Sequence, residues 1–461
     1  MILYLILFTL REVKQILICH LDDRNHKKIK DLANLFSEFS LNKNRLLIEI
    51  KYLQKLSEYG VIRKFNFQEN KLLEKIYKDF DQNEFKKFKK IEEKTNHDIK
   101  ALELYLRKKL IKTSLKDVEN FVHFCLSSED INNIAYGLML KENQNKYFIP
   151  RINKIIEELK KLSKTSLNSP MLSLTHGQPA SPTVLGKEVA VYIHRIMDEL
   201  KVFSKLSIQG KLNGSVGNYN SFILNFPGIN WPKFSQEFVS DFGLEPNLFT
   251  TQILPYDSWS RYFDSIKRIN NILLDMVVDF WWYTSFFYLK LQVIEDEVGS
   301  SAMPHKVNPI DLEAAEGNLG YSNSTLEFLS SKLQKSRMQR DLSDSTVRRN
   351  VGLTLSYSYF AYDSILRALS RLEPNSEVMS QKLKENWQVL AEAVQNVLRK
   401  ENIDGDYDLV KKISRGKTFN SEEFMILIEN MSIPEIIKNR LKKLSPEKYL
   451  GLAKEITLRI I

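Results

Sequence analysis

Residues 256–291, YDSWSRYFDSIKRINNILLDMVVDFWWYTSFFYLKL, decide the fold class. Trp259, Phe263, Ile266, Leu273, Val277, Phe280, Phe287 and Leu291 recur at steps of three, four or seven, while Arg261, Asp264, Arg268, Asn271, Asp275 and Asp279 mark the opposite side. Such steps place side chains on one face of a 3.6-residue helix, so the stretch predicts one amphipathic helix. At 1.5 Å per residue it would run about 54 Å, well beyond an average globular helix. Helices of that length lie side by side in bundles and often extend into a subunit interface.

Working outward, helical patterns cover 130–143, 147–164, 182–209 and 309–335, with a further one at 343–370. Between them 212–251 is rich in Gly, Asn and Pro (NGSVGNYN, NFPGIN) and reads as an irregular connection. Upstream, from 27 to 111, Leu32, Leu35, Phe36 and Phe39, then Leu46, Leu47, Ile50 and Leu53, mark shorter helices. The expected fold is all-α in three helical domains: an N-terminal one at 1–114, a central long-helix bundle at 115–371, and a C-terminal one at 372–461.

A chain of 461 residues can bury a sizeable core. The formal charge of +10 is spread along the chain among nearly as many acids. That pattern suits solvated helix faces and the steering of a small anion, and it argues against nucleic acid as a partner. Cys19 and Cys125 provide no disulfide framework, which suits a reducing, cytoplasmic setting. The opening MILYLILFTL is shorter than a membrane span and is followed, not preceded, by basic residues. It is expected to be a buried or partner-covered segment rather than a signal-anchor, so no membrane partner is expected.

Against this background a second stretch, EVGSSAMPHKVNPIDLEAAEGNLG at 297–320, builds no core. Pro304 and Pro309 forbid an uninterrupted helix, so it reads as a loop with a new helix starting near Pro309 and Ile310. It is either a polar connection or a reaction site presenting hydroxyls, an imidazole, an ammonium and a carboxamide. Three other islands share that ambiguity: Thr95-Asn96-His97-Asp98, Ser127-Ser128-Glu129-Asp130 and Thr175-His176-Gly177-Gln178-Pro179-Ala180. His97 near a helix start is commonly structural, and Ser127 or Ser128 can be an N-cap, although a hydroxyl-lined helix start also receives anions. The cluster Arg340, Ser345 and Arg349 is a solvated helix start or a grip for phosphate or carboxylate, which guanidinium forks match. No phosphate loop, HExxH pair, zinc-type Cys/His spacing, dinucleotide fingerprint or isolated carboxylate pair is present. No cofactor and no metal are expected.

The run Gly299-Ser300-Ser301-Ala302-Met303-Pro304-His305-Lys306-Val307-Asn308-Pro309 resembles the signature loop of the fumarase/aspartase superfamily, whose members release fumarate by cleaving C–N or C–O bonds. His305 between Pro304 and Lys306 is the variant typical of the adenylosuccinate lyase family. TNHD at 95–98, SSED at 127–130, THGQPA at 175–180 and QRDLSDST at 339–346 resemble the bacterial type of that family in the same order. The likeness runs from about residue 28 onward.

The resemblance implies a nucleotide substrate, a homotetramer with a shared helical core, and active sites built from three chains. It implies Ser300 as the base that takes a Cβ proton and His176 as the acid that protonates the departing nitrogen, with His97 beside it. Lys306 and Asn308 would hold the succinyl carboxylate. Arg340, Ser345 and Arg349 would grip the phosphate, and Arg24, Asn96, Asp98, Ser127, Ser128, Thr175, Gln252, Ser301 and Met303 would complete the substrate cradle. The family carries an Arg-Tyr pair near its N-terminus, where this chain has Arg24-Asn25, so the tyrosine's role does not carry over. Two rivals remain: another superfamily chemistry, disfavoured by His305 and the arginines, and a catalytically silent scaffold, disfavoured by the presence of Ser300, His176 and Lys306.

Overall fold

The computed structural model of the chain describes residues 19, 21–22, 24–294, 302–403, 410–411, 414–416 and 418–461. The apolar start at 1–10 and the head of the signature loop, including Gly299, Ser300 and Ser301, lie outside the described residues. The fold is all-α: helices dominate, and the strands are antiparallel or parallel pairs of two or three residues each. Contacts gather the chain into two compact units. One takes the chain up to Phe148 with Lys205–Asp264 and Ser324–Phe360; the other takes Ile149–Ser204, Ser265–Asn323 and Ala361–Ile461. No described helix is long and apolar enough to cross a membrane.

The deciding stretch forms a helix of 29 residues, Asp257–Ser285. Trp259, Phe263, Ile266, Leu273, Val277 and Phe280 are all buried, as their spacing predicts. The helix stops short of the expected 291 because Phe287 turns left-handed (φ 59°) and is exposed, after which Leu289–Leu291 pairs antiparallel with Leu372–Pro374. Other boundaries are corrected in the same way. The 343–370 pattern breaks at 349–350 into Ser343–Arg348 and Val351–Leu369. The 182–209 pattern becomes Leu185–Ser204, because Thr183–Val184 pairs with Pro170–Met171 before it and Gln209–Gly210 pairs with Glu245–Pro246 after it. The helices expected at 130–143 and 147–164 are Ser128–Glu142 and Ile149–Thr165, joined by a π-helical turn at Asn143–Phe148.

The stretch 212–251 is more regular than its composition suggests, containing helices Asn220–Asn225 and Trp231–Asp241. Asn230 caps the second, its side chain accepting the Lys233 N–H at 3.1 Å, and Pro232 follows where a missing N–H costs nothing. Phe234 and Phe238 then meet Tyr52 edge-on in the first unit, Trp231 packs edge-on against Phe234, and Phe234 stacks on Phe238. In that unit the Glu38–Glu58 helix lies against Ser128–Glu142, burying Leu46, Ile50 and Leu53.

In the second unit the Ile149–Thr165 and Leu185–Ser204 helices pack closely. Gly186 is the contact point: the Ser163 hydroxyl donates to its carbonyl at 2.7 Å, and a Cβ at 186 would stand 2.5 Å from the Ser163 carbonyl oxygen. The C-terminal helices of this unit have their own core of Leu390, Val394, Leu398, Phe424, Ile428 and Leu441. The obstructing atom at Gly186 is backbone, so Gly186→Ala must push the two helices apart. We expect a loss of ~1–3 kcal/mol of unfolding free energy, the usual cost of overpacking, read from denaturant midpoints; an unchanged midpoint would contradict this packing.

Candidate active site

Two adjacent acids, Glu129 and Asp130, open the Ser128–Glu142 helix, and both are fully buried. A buried carboxylate must be paired or richly hydrogen-bonded, and each of these binds a different stretch of chain. Asp130 accepts the backbone N–H groups of Ser127 (2.8 Å), Asn213 (2.9 Å) and Gly214 (3.2 Å), and pairs with the equally buried Lys211 at 3.0 Å. Asn133, one turn on, exchanges hydrogen bonds with the backbone of Lys211 at 2.8 and 3.0 Å. The loop so fixed reaches Thr250, whose hydroxyl meets the Asn213 carboxamide at 2.8 and 3.0 Å. At Gly217 (φ 79°) a Cβ would stand 2.3 Å from the Thr250 carbonyl oxygen. Gln252, two residues along, is half-buried.

Ser127 occupies the N-cap position, as one reading of the motif has it. The reciprocal half of the capping box comes from Asp130, whose carboxylate accepts the Ser127 N–H at 2.8 Å.

Glu129 turns to the later motif. Its Oε1 lies 3.1 Å from Arg340 and 3.0 Å from Arg348, and it also accepts from Asn132 at 2.9 Å. Arg348 is 1% exposed, lies 5.4 Å from each of the Tyr136 and Tyr256 ring centres, and reaches Asp344 at 3.0 Å with the same nitrogen that meets Glu129. Burial alone would push the Glu129 carboxyl up, but Arg348 and then Arg340 hold it down at about 2. Asp344 goes the other way: burial raises its pKa and Glu129 adds to that, outweighing Arg348. Ser345 is half-buried and Arg349 exposed beside this cluster. The motifs at 127–130 and 339–346 therefore meet within the first unit.

The motif at 95–98 belongs to that unit as well. Asn96, left-handed at φ 46°, closes one helix, and His97 caps the next, Asp98–Leu110. His97 Nδ1 accepts the Lys100 N–H at 3.2 Å, so that nitrogen is unprotonated and Nε2 is left to donate from a half-exposed ring. Asp98 pairs with the buried Arg45 at 2.9 Å; burial works against its ionisation, and Arg45 holds its pKa below the usual value. One turn along the same helix, Glu49 accepts from His123 at 2.6 Å. Burial disfavours the imidazolium of His123, yet Glu49 raises its pKa overall. His123 is left-handed (φ 59°) just ahead of Ser127. Arg24 is exposed, and Asn25 is buried ahead of the His26–Phe36 helix with no side-chain cap bond.

The second unit carries the remaining residues. Leu174–Thr175 and Gln178–Pro179 form a hairpin whose two turn residues, His176 (φ 54°) and Gly177 (φ 72°), are both left-handed. Thr175 and His176 are exposed at its tip. In the described part of the signature loop a turn closes from Lys306 N–H to the Met303 carbonyl at 3.1 Å, and the Ile310–Leu333 helix starts on Pro309 as expected. Met303, His305 and Lys306 are exposed, and Asn308 is half-buried. Ser300 and Ser301 lie outside the described residues.

Arg348 and Asp344 lie within motifs visible in the sequence but carry no role there, and Lys211 stands outside them. Each stands in a polar run that reads as surface, and its burial depends on partners from distant parts of the chain. The signal for Arg348 was a second arginine directly before Arg349.

A family model described as lyase matches residues 25–321, and one described as adenylosuccinate lyase C-terminal matches residues 336–450. The adenylosuccinate lyase of Buchnera aphidicola subsp. Acyrthosiphon pisum (strain APS) is 43% identical over 429 residues, covering 92% of this chain and 94% of that protein. That of Escherichia coli (strain K12) is 41% identical over 436 residues, covering 94% and 96%. Among solved structures, the 3-carboxy-cis,cis-muconate lactonizing enzyme from Pseudomonas putida superposes with a TM-score of 0.76 over 94% of this chain and 96% of that one. At 16% identity this is a likeness of fold.

The depressed Glu129 carboxyl makes a pH-dependent prediction. Its contribution to stability is fully present above the ordinary value of 4.5 and is lost as pH falls through about 2. Glu129→Gln takes the closest carboxylate from Arg340 and leaves Arg348 only Asp344, and should cost ~3–5 kcal/mol of unfolding free energy near pH 7. Because the wild-type carboxyl protonates on the way down, the gap between the two proteins should narrow from about pH 4.5 toward pH 2. Denaturant titrations at a series of pH values read this out, and a constant gap would contradict the pairing.

Proposed function

The chain belongs to the adenylosuccinate lyase family within the fumarase/aspartase superfamily, and from that premise we propose that it splits adenylosuccinate into AMP and fumarate by β-elimination. It would treat the succinylated imidazole-carboxamide ribotide of purine synthesis in the same way. The observation that most supports this reading is the 3.1 Å approach of Arg340 to Glu129, which joins two motifs of the family around a cluster of guanidiniums.

Elimination requires three things. The Cβ–H beside a carboxylate is weakly acidic, so the dianionic aci-carboxylate that forms must be stabilised; Lys306 and Asn308, supported by the Ser301 amide and Met303, are assigned to it. A base must take the proton, and Ser300 is assigned that role as its alkoxide, stabilised by Lys306 and the loop amides. The nitrogen must be protonated as it leaves, a task for an imidazole, which gains and loses protons near neutral pH. His176 is assigned as that acid, and His97, with Nε2 free to donate, contacts the substrate beside it. Arg340, Ser345 and Arg349 would take the phosphate, guanidinium forks being matched to it. Ser127, at the head of the Ser128–Glu142 helix, would join Ser128, Thr175, Gln252, Asn96, Asp98 and Arg24 in the cradle.

The assembly proposed is a homotetramer with shared sites, in the cytoplasm, on the three-domain plan 1–114, 115–371 and 372–461. Its support in the second unit is the exposure of Val202, Trp282 and Tyr321, each about half exposed on a long helix, with Gly317 and Gly320 facing open space. The exposure of Thr175, His176 and Lys306 also supports it, because acid–base chemistry needs surroundings that exclude water.

Ser300→Ala and His176→Ala are each expected to lower fumarate release on the order of 10²–10⁴-fold, followed by fumarate absorbance. Activity within about threefold of wild type, far less than loss of an acid or base costs, would remove those assignments. Mixing the two inactive variants should restore part of the activity if the site is shared, and no restoration after confirmed subunit exchange would count against it.

A further inference from the structure

Glu129 Oε1 is shared. Arg340 approaches it at 3.1 Å and Arg348 at 3.0 Å, and only Arg340 keeps any exposure, with 20% of its side chain open against 1% for Arg348. Arg348 has no freedom to leave, being enclosed by the Tyr136 and Tyr256 rings and by Asp344. Two carboxylates and two guanidiniums balance in this cluster without any ligand. Arg340 Nε nevertheless has no hydrogen-bond partner among the described residues, and its nearest approach to Asp344 is 3.8 Å. Among the described residues its side chain is thus held by a close contact to an oxygen already engaged by another cation and by the longer approach to Asp344. A buried carboxylate compensated by one guanidinium attracts a second less strongly than an uncompensated one.

We propose that Arg348 is a positioning residue: by occupying Glu129 it weakens the grip of Glu129 on Arg340, leaving Arg340 available to the phosphate of a nucleotide substrate. The inference rests on the functional reading above and goes beyond it, because Arg348 touches no substrate. Asp344 acts in the opposite sense. It draws Arg348 partly away from Glu129 and lies on the Nε side of Arg340, so it tightens the resting position of Arg340.

The two residues therefore make opposite predictions, which a general folding defect would not do. With Arg348→Met, Glu129 is left to Arg340 alone. The KM for adenylosuccinate should rise about tenfold, equivalent to a coupling of ~1.4 kcal/mol between neighbouring charged residues, with kcat within about threefold, a split that marks lost binding rather than lost chemistry. With Asp344→Asn the same KM should fall a few-fold. For the dephosphorylated substrate, succinyladenosine, kcat/KM should stay within about threefold of wild type in both variants, because Arg340 has no phosphate to meet.

Steady-state kinetics of the full-length protein on both substrates tests this. If Arg348→Met does not fold, the fall in KM in Asp344→Asn decides alone. Equal shifts on the two substrates, or KM shifts of the same sign in the two variants, would overturn the proposal. A wild-type protein that turned over neither substrate would instead overturn the functional reading.

Discussion

Two neighbouring carboxylates, Glu129 and Asp130, are buried at the head of one helix, and the first unit depends on how their charge is compensated. Desolvating an ion is costly enough that such groups persist only with close partners. Asp130 meets the requirement with three backbone N–H groups and Lys211, which fixes the 211–214 loop. Glu129 meets it with Arg348 and Arg340, which fixes the 340–348 segment. One turn of helix thereby holds in register two stretches that the sequence keeps far apart. The Glu38–Glu58 helix does similar work through Arg45 with Asp98 and Glu49 with His123, setting the approaches to residues 96–98 and 127.

This arrangement divides the work of the proposed reaction. The residues of the first unit proposed to meet the phosphate stand beside buried, mutually neutralising charges. Groups assigned to the chemistry itself, His176 at a hairpin tip and Lys306 in a loop, are exposed in the second unit.

Much of the fold was legible because helix faces obey a simple period. Trp259, Phe263, Ile266, Leu273, Val277 and Phe280 are buried as their spacing predicts, as are Leu46, Ile50 and Leu53, while Leu47 is half-buried. Helix ends were less legible, since they depend on single residues such as Phe287, whose left-handed backbone no propensity announces. The helix at Trp231–Asp241 was missed because Gly, Asn and Pro around it outweighed the aromatic spacing of Trp231, Phe234 and Phe238. In the candidate site the motifs were visible as polar islands, and their family order came from resemblance. Their joining was not visible. Nothing local says that Arg348 is buried while Arg349 is exposed; that follows from Tyr136, Tyr256 and Glu129, which arrive from elsewhere in the chain.

The central claim is that this site acts on a phosphorylated succinyl nucleotide. Fumarate release from adenylosuccinate, argininosuccinate, aspartate and malate, each supplied separately to the purified protein, tests it most directly. Turnover of adenylosuccinate and none detectable with the other three is the expected result. Turnover of any of those three without turnover of adenylosuccinate would contradict it.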